Sequence, residues 1–189
     1  DANFEGLKKA YANGTELRGK TLGIVGIGRI GQATAKMALG LGMKVIAADS
    51  FIEKVDVKVE FFDGQSITTT IVSQSLESLF KEADFISLHV PAQNGYIISK
   101  AELAIMKDGV GIVNCARGGV IDEIALIEAL DSGKVGFAGL DVFESEPKPE
   151  IKILMHPKIS LTPHIGAATG EAQDRIGTEL AQQIISILG

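Results

Sequence analysis

Residues 21–50 read "TLGIVGIGRIGQATAKMALGLGMKVIAADS". An apolar run from Thr21 to Val25 breaks at Gly26, Gly28 and Gly31, spaced GxGxxG, and an amphipathic stretch begins near Arg29. The glycine pattern alone is a weak signal; between a strand and a helix it is a dinucleotide-binding fingerprint. Gly26 lets the chain turn sharply, Gly28 admits backbone close to a pyrophosphate, and Gly31 lets helix and strand pack tightly. The N–H groups of the first helical turn, at Arg29, Ile30 and Gly31, then face the anion with the helix dipole behind them. The helix is expected to turn Ile30, Thr34, Met37, Ala38 and Leu41 inward and to stop at Gly42. Asp49 closes the following strand 18 residues beyond Gly31, where a carboxylate can accept hydrogen bonds from an adenosine ribose. The same charge would repel a 2′-phosphate, and Ser50 stands next to it rather than an arginine, so the pattern selects NAD over NADP.

Further β-branched apolar runs alternate with helical patterns: "KVIAAD", "DFISLHV", "GVGIVNCA", "VGFAGLDV" and "ISLTPH". Such alternation predicts an α/β fold, a doubly wound Rossmann-type parallel sheet. One helix follows Asp122 as N-cap, with Ile124, Ile127 and Leu130 inward and Gly133 at its end. Another covers "SLESLFKEA", and the last opens at Thr169 with Ile176, Leu180, Ile184 and Leu188 along one stripe. Alternating apolar and polar residues around Asp63-Gly64 predict a β-hairpin insertion near 55–73. No composition shift divides the body of the chain; residues 18–168 are expected to form one nucleotide-binding domain. Residues 1–17 read as a lead-in, and 169–189 as a helix leading away.

Eighteen basic and twenty-four acidic residues give a net charge of −6, with no basic cluster to attract nucleic acid or an anionic membrane. No segment reaches the roughly 18–20 apolar residues of a membrane span. One cysteine, Cys115, cannot form an internal disulfide, and a cytoplasmic location is the default expectation. Three scattered histidines and that cysteine form no metal-ligand pattern.

Three stretches carry titratable residues just after predicted strands: "NCARGGVID" (114–122), "GLDVFESEP" (139–147) and "LTPHIGAAT" (161–169). Parallel sheets bind ligands beyond the carboxyl ends of their strands, so the three should converge. Taken in order with "GIVGIGRIGQ" and "ISLHVP", they resemble the NAD-binding domain of the D-2-hydroxyacid dehydrogenases, most of all the D-3-phosphoglycerate dehydrogenase branch. The resemblance implies a catalytic set of Arg117, Glu146 and His164. Arg117 offers a planar fork for a carboxylate and a neighbouring 2-oxo oxygen, with Gly118-Gly119 leaving room for a ligand. His164 can give a proton to a carbonyl oxygen and take it back in reverse. Glu146, hydrogen-bonded to that imidazole, would favour its charged form; only the resemblance selects it over Glu144.

Asp141 resembles the aspartate that meets the nicotinamide side of the cofactor, with a strand-end cap as the alternative. His89, Val90 and Pro91 are expected to line the cofactor groove through backbone, and Cys115 to be a small packed side chain beside it. Ala116, Gly166 and Ala167 complete the expected cofactor contacts, and His156 reads as a loop residue. The resemblance further implies a 2-hydroxy or 2-oxo acid substrate, possibly 3-phosphoglycerate in serine synthesis, a homodimer, and a substrate domain outside this chain. Glyoxylate or hydroxypyruvate reductases, and nucleotide-sensing corepressors of the same ancestry, are the alternatives. The short "AQN" after "HVP" and the 55–73 insertion depart from the family's commonest pattern.

Overall fold

Six short runs, most of them rich in valine, isoleucine and leucine, pair side by side, the central ones buried on both faces. The computed structural model describes residues 3–10, 12, 14–92 and 94–188. In chain order the elements are α1 (Phe4–Ala10), β1 (Thr21–Val25), α2 (Arg29–Gly40), β2 (Lys44–Ala48), β3 (Lys54–Glu60), β4 (Ser66–Val72), α3 (Leu76–Glu82) and β5 (Phe85–Leu88). There follow α4 (Lys100–Ile105), β6 (Val110–Asn114), α5 (Glu123–Ser132), β7 (Val135–Leu140), α6 (Ile151–Leu154), β8 (Ile159–Leu161) and α7 (Gly170–Leu188). The sheet order is β2-β1-β5-β6-β7-β8, parallel throughout. From β1 the chain winds to β2 on one side and later to β5 on the other. That reversal opens a crevice at the carboxyl ends of β1 and β5, where nucleotides bind in sheets of this kind.

Alternation along the strands splits the core in two. Leu22 and Ile24 of β1 pack with Ala35 and Ala38 of α2, while Val25 joins Leu79 and Phe80 of α3 and Leu126 and Leu130 of α5 on the opposite face. The expected hairpin is present: β3 and β4 pair antiparallel from Lys54↔Val72 to Glu60↔Ser66. At its tip Gly64 has φ +84°, and the Asp63 carboxylate accepts from Gln65 N at 3.0 Å. Val57 and Ile71 turn inward against the α2 side of the core, so the hairpin is packed structure.

Several helix faces differ from expectation. In α2 the buried residues are Gly31, Ala35 and Ala38; Ile30, 70% exposed, and Met37 and Leu41 face outward. The cause is the tight crossing over β1: a Cβ on Gly31 would lie 2.2 Å from the Gly26 carbonyl oxygen. So close an approach selects the face with the smallest side chains, whatever the apolar stripe suggests. In α5, Asp122 caps through Ile124 N and Ala125 N, both at 3.0 Å, and Gly133 ends the helix at φ +81°. Ile124 nevertheless points out at 74% exposure, and Ala125, Leu126, Ala129 and Leu130 point in. The Thr169 hydroxyl caps α7 by accepting from Ala172 N at 3.1 Å, but Ile176, Leu180, Ile184 and Leu188 are all exposed in this chain.

The short helices α1, α4 and α6 have too few residues for a readable period; α4 is announced only by its Ser99–Glu102 capping box. Of the segments expected to lead into and out of the domain, residues 1, 2, 11, 13 and 189 lie outside the described residues, as does Gln93 of "AQN". Among the described residues no helix is long and apolar enough to cross a membrane.

Candidate active site and nucleotide crevice

After β1 the chain reverses at Gly26, φ +90°, where a Cβ would stand 2.5 Å from the carbonyl oxygen of His89. No heavy atom lies within 4 Å of a Cβ built on Gly28, so its backbone borders open space. Arg29 and Ile30 form the exposed first turn of α2; Arg29 meets Glu179 at 3.3 Å in a surface pair that contributes little.

Asp49 sits at the end of β2. Its Oδ2 accepts from Ile27 N at 2.9 Å, and its Oδ1 from Phe51 N at 2.8 Å and Ile52 N at 3.0 Å. Burial raises its pKa, but those three N–H groups outweigh it and hold the carboxyl below the usual value. A carboxylate has about four lone-pair directions, so roughly one remains for a ribose hydroxyl. Gly26, Gly28, Asp49, His89, Val90 and Pro91 line one cleft of about 660 Å³. Its wall also contains Phe51, Gln74, Leu76 and Ile97, which sequence reasoning missed. Phe51 could have been found as a neighbour of Asp49; Gln74 and Ile97 enter from loops, and Leu76 from the start of α3, without any motif. The His89 ring bonds Ser87 Oγ at 2.9 Å, and burial pushes its pKa down, favouring the neutral ring. Open, electropositive at a helix start and walled by apolar side chains, the crevice fits an adenine dinucleotide.

The loops after β6, β7 and β8 bring Arg117, Glu146 and His164 to a second cleft of about 640 Å³. His164 Nδ1 and Glu146 Oε2 are 2.8 Å apart, and Glu146 Oε1 accepts from Phe143 N at 2.9 Å. The bond to His164, then that to Phe143, lower the Glu146 pKa. With Nδ1 committed, Nε2 is the nitrogen left to exchange a proton; the imidazole is half exposed. Glu144 turns elsewhere, accepting from Glu123 N at 3.0 Å and from the Tyr96 hydroxyl at 3.3 Å. Position 146, not 144, therefore meets the imidazole.

Arg117 is exposed, on a turn that buried Asn114 closes: Asn114 Nδ2 donates to Arg117 O and Oδ1 accepts from Ala116 N, each at 3.0 Å. Nothing in the sequence singled out this asparagine, because its role exists only once the turn has formed. The following glycines line the same cleft and also have a packing role. A Cβ on Gly118 would stand 1.9 Å from the Phe143 carbonyl oxygen, and Gly119 takes φ +75°. They let the Arg117 loop cross the Glu146 loop.

Asp141 is 3% exposed. Its Oδ1 accepts from Thr162 Oγ1 at 2.5 Å and Ile165 N at 2.8 Å, and its Oδ2 from Gly166 N at 2.7 Å. Burial raises its pKa; these bonds more than offset that and lower it. The carboxylate thus encloses the turn on which His164 adopts φ +56°, a left-handed conformation that few non-glycine residues take. Ala167 lies on the exposed stretch that follows. Cys115 is exposed rather than packed, because the turn at Ala116 faces it out of the core. Partial desolvation and the Asp141 charge raise its pKa, which disfavours the thiolate. His156 is structural: Nε2 reaches Asp131 at 3.3 Å and Nδ1 accepts from Lys158 N at 3.2 Å. Among the described residues no group of three or more His, Cys, Asp or Glu side chains could hold a metal.

The family model of the D-isomer specific 2-hydroxyacid dehydrogenase NAD-binding domain matches residues 2–166. The chain belongs to that family. It is the family's NAD-binding domain, and NAD is its cofactor. It is 50% identical over 187 residues to a hydroxypyruvate reductase of Thermotoga maritima, covering 96% of this chain and 57% of the reductase. It is 46% identical over 177 residues to a D-3-phosphoglycerate dehydrogenase of Methanocaldococcus jannaschii, covering 93% of this chain and 32% of that enzyme. Among solved structures, a D-lactate dehydrogenase from Aquifex aeolicus complexed with NAD and lactic acid superposes with a TM-score of 0.74 at 33% identity, over 97% of this chain and 60% of that one. The chain thus spans a third to three fifths of the dehydrogenases it resembles.

Proposed function

We propose that this domain carries the cofactor and the acid–base machinery of an enzyme that interconverts D-2-hydroxy and 2-oxo acids. The observation that supports this reading best is the 2.8 Å contact between His164 and Glu146 in a cleft shared with Arg117. NADH, when bound, supplies the hydride. The Gly26–Gly31 turn cradles the pyrophosphate and Asp49 takes the ribose. His89, Val90 and Pro91 would line the adenosine side of the cofactor, and Cys115, Ala116, Asp141, Gly166 and Ala167 would border its nicotinamide side. Arg117 grips the substrate carboxylate and polarises the 2-oxo group. As the carbonyl carbon gains hydride, His164 gives its proton to the carbonyl oxygen, and Glu146 holds the imidazolium charge until then. In oxidation the same imidazole takes the hydroxyl proton.

Hydroxypyruvate or glyoxylate is the preferred substrate class, supported by the 50% identity to a hydroxypyruvate reductase; 3-phosphoglycerate, as a step in serine synthesis, is the second reading, supported by the dehydrogenases at 41–46%. A cytoplasmic homodimer completes the proposal, and a monomer in sedimentation would count against that part. A nucleotide-sensing corepressor role would show NADH binding with no turnover of any 2-oxo acid.

Titration of the chain with NADH, followed by fluorescence, tests the crevice. Asp49→Ala is expected to weaken binding by about 10–100-fold, the loss of a charge-assisted hydrogen bond; an unchanged affinity removes Asp49 from the ribose site. A screen of 2-oxo acids with NADH, on a polypeptide that also carries the substrate-binding portion, tests the reaction.

Glu146→Gln provides a sharper check through pH. Reduction requires a protonated imidazole, so activity falls as pH rises. The Glu146 charge favours the protonated form; its removal should move that loss to lower pH. An unshifted profile would strip Glu146 of this role.

A further inference from the structure

Arg117 and Glu146 stand on different loops, each several residues past its strand, yet Arg117 and the imidazole that Glu146 holds must face one hydride acceptor at once. Two carboxylates stitch these loops together. Glu123, the first residue of α5, accepts from Glu144 N at 2.8 Å, while Glu144 accepts from Glu123 N at 3.0 Å. The exchange joins residues 21 apart in sequence through two mutual bonds. Glu123 is 8% exposed, and burial raises its pKa despite the bond from Glu144. Its backbone N–H is one of those a helix start leaves unpaired. Asp122 serves the next two, at Ile124 and Ala125, so Glu144 completes the set.

The pair lies between the two reactive loops. Gly118, next to Arg117, touches the Phe143 carbonyl; Phe143 N binds Glu146 Oε1 at 2.9 Å. On the outer side the Tyr96 hydroxyl reaches Glu144 Oε2 at 3.3 Å, and Ile97 N and Ile98 N donate to Val120 O at 2.8 and 3.1 Å. Three chain segments therefore meet at this crossing.

We propose that the reciprocal Glu123–Glu144 exchange is a positioning device that sets the Glu146 loop against the Arg117 loop and so keeps Glu146 on His164. Neither residue touches substrate in this account. The inference rests on the dehydrogenase reading above, and it predicts effects on turnover rather than on cofactor affinity.

The test uses the polypeptide bearing both domains. Glu123→Ala is expected to lower kcat for 2-oxo acid reduction by about 10–100-fold, the scale of a misplaced catalytic group, with NADH affinity unchanged within about twofold. It should also move the alkaline loss of activity to lower pH, as Glu146→Gln does. Glu123→Gln keeps the acceptor oxygen and should restore most of the rate. Glu144→Ala, at an exposed position, should reproduce the loss and keeps the idea testable where the buried variant fails to fold. In a Glu146→Gln background, removing Glu144 should add less than about twofold, since the two act in series. Additive losses, or wild-type rates and pH profiles in both alanine variants, overturn the device. Amide hydrogen exchange across 141–146 reads it without substrate: Glu144→Ala must speed exchange there, and unchanged exchange refutes the device. Lack of turnover by the unaltered enzyme with every 2-oxo acid refutes only the dehydrogenase reading.

Discussion

Replacing His164 by alanine is expected to lower kcat for 2-oxo acid reduction by about 10²–10⁴-fold, the contribution of a positioned general acid. NADH affinity should stay near that of the unaltered protein. The imidazole is half exposed and bonds only outward, to Glu146, so its loss costs the fold little. Among the described residues at the cleft, the Tyr96 hydroxyl is committed to Glu144, and Arg117 does not give up its proton near neutral pH. Stopped-flow measurement of NADH oxidation separates the hydride step from product release. A rate within about threefold of wild type would assign the proton to another donor. The same experiment on Glu146→Gln should show a smaller loss that grows with pH, because that change biases the imidazole without removing it.

Asp141→Ala should be the most damaging single change to both stability and activity. The buried carboxylate satisfies the Thr162 hydroxyl and the N–H groups of Ile165 and Gly166. These donors belong to exposed residues that water can reach once the carboxylate is gone, so at about 0.5–1.5 kcal/mol per bond the variant should lose about 1.5–4.5 kcal/mol in urea unfolding. The turn carrying His164 would also lose what holds its left-handed backbone, and activity should fall with stability.

The pH dependence has a definite sign. The folded pKa of Asp141 is lowered, so its stabilisation is fully present above the unfolded carboxyl value, about 3.9, and is lost as pH falls through the lower, folded value. Acid unfolding of the unaltered protein should therefore include a component below about pH 4 that the alanine variant lacks. Asn at this position, which keeps one acceptor oxygen, should recover part of the stability. Equal stability of all three proteins at pH 7 would show that the turn is held by other contacts.

Much of this molecule was legible in its sequence. The strand–glycine–helix order of 21–40 placed the crevice, since a parallel βαβ unit has few ways to close and the glycines mark where backbone must approach backbone. Alternation around Asp63-Gly64 predicted the hairpin, and Asp122 and Gly133 predicted the ends of α5, because caps and turns are local events. The faces of helices were less legible. Ile30 and Ile124 are strong hydrophobes that end in solvent, while Ala35 and Ala125 go inside, because burial depends on the distance to a neighbouring element, which in α2 is set by the Gly31 crossing.

The site divides in the same way. Sequence motifs located Arg117, Glu146 and His164 as residues of interest but could not decide between Glu144 and Glu146, two acids on one loop. Only the folded chain separates them, turning one toward Glu123 and the other toward His164. Asn114, Gln74 and Glu123 carry no signature of their own, for their partners lie on other segments. By itself the sequence determined the fold class, the nucleotide turn and the family, each encoded in short-range pattern. Tertiary structure decided which carboxylate meets which donor, because hydrogen bonds between loops depend on directions and distances that no spacing along one chain records.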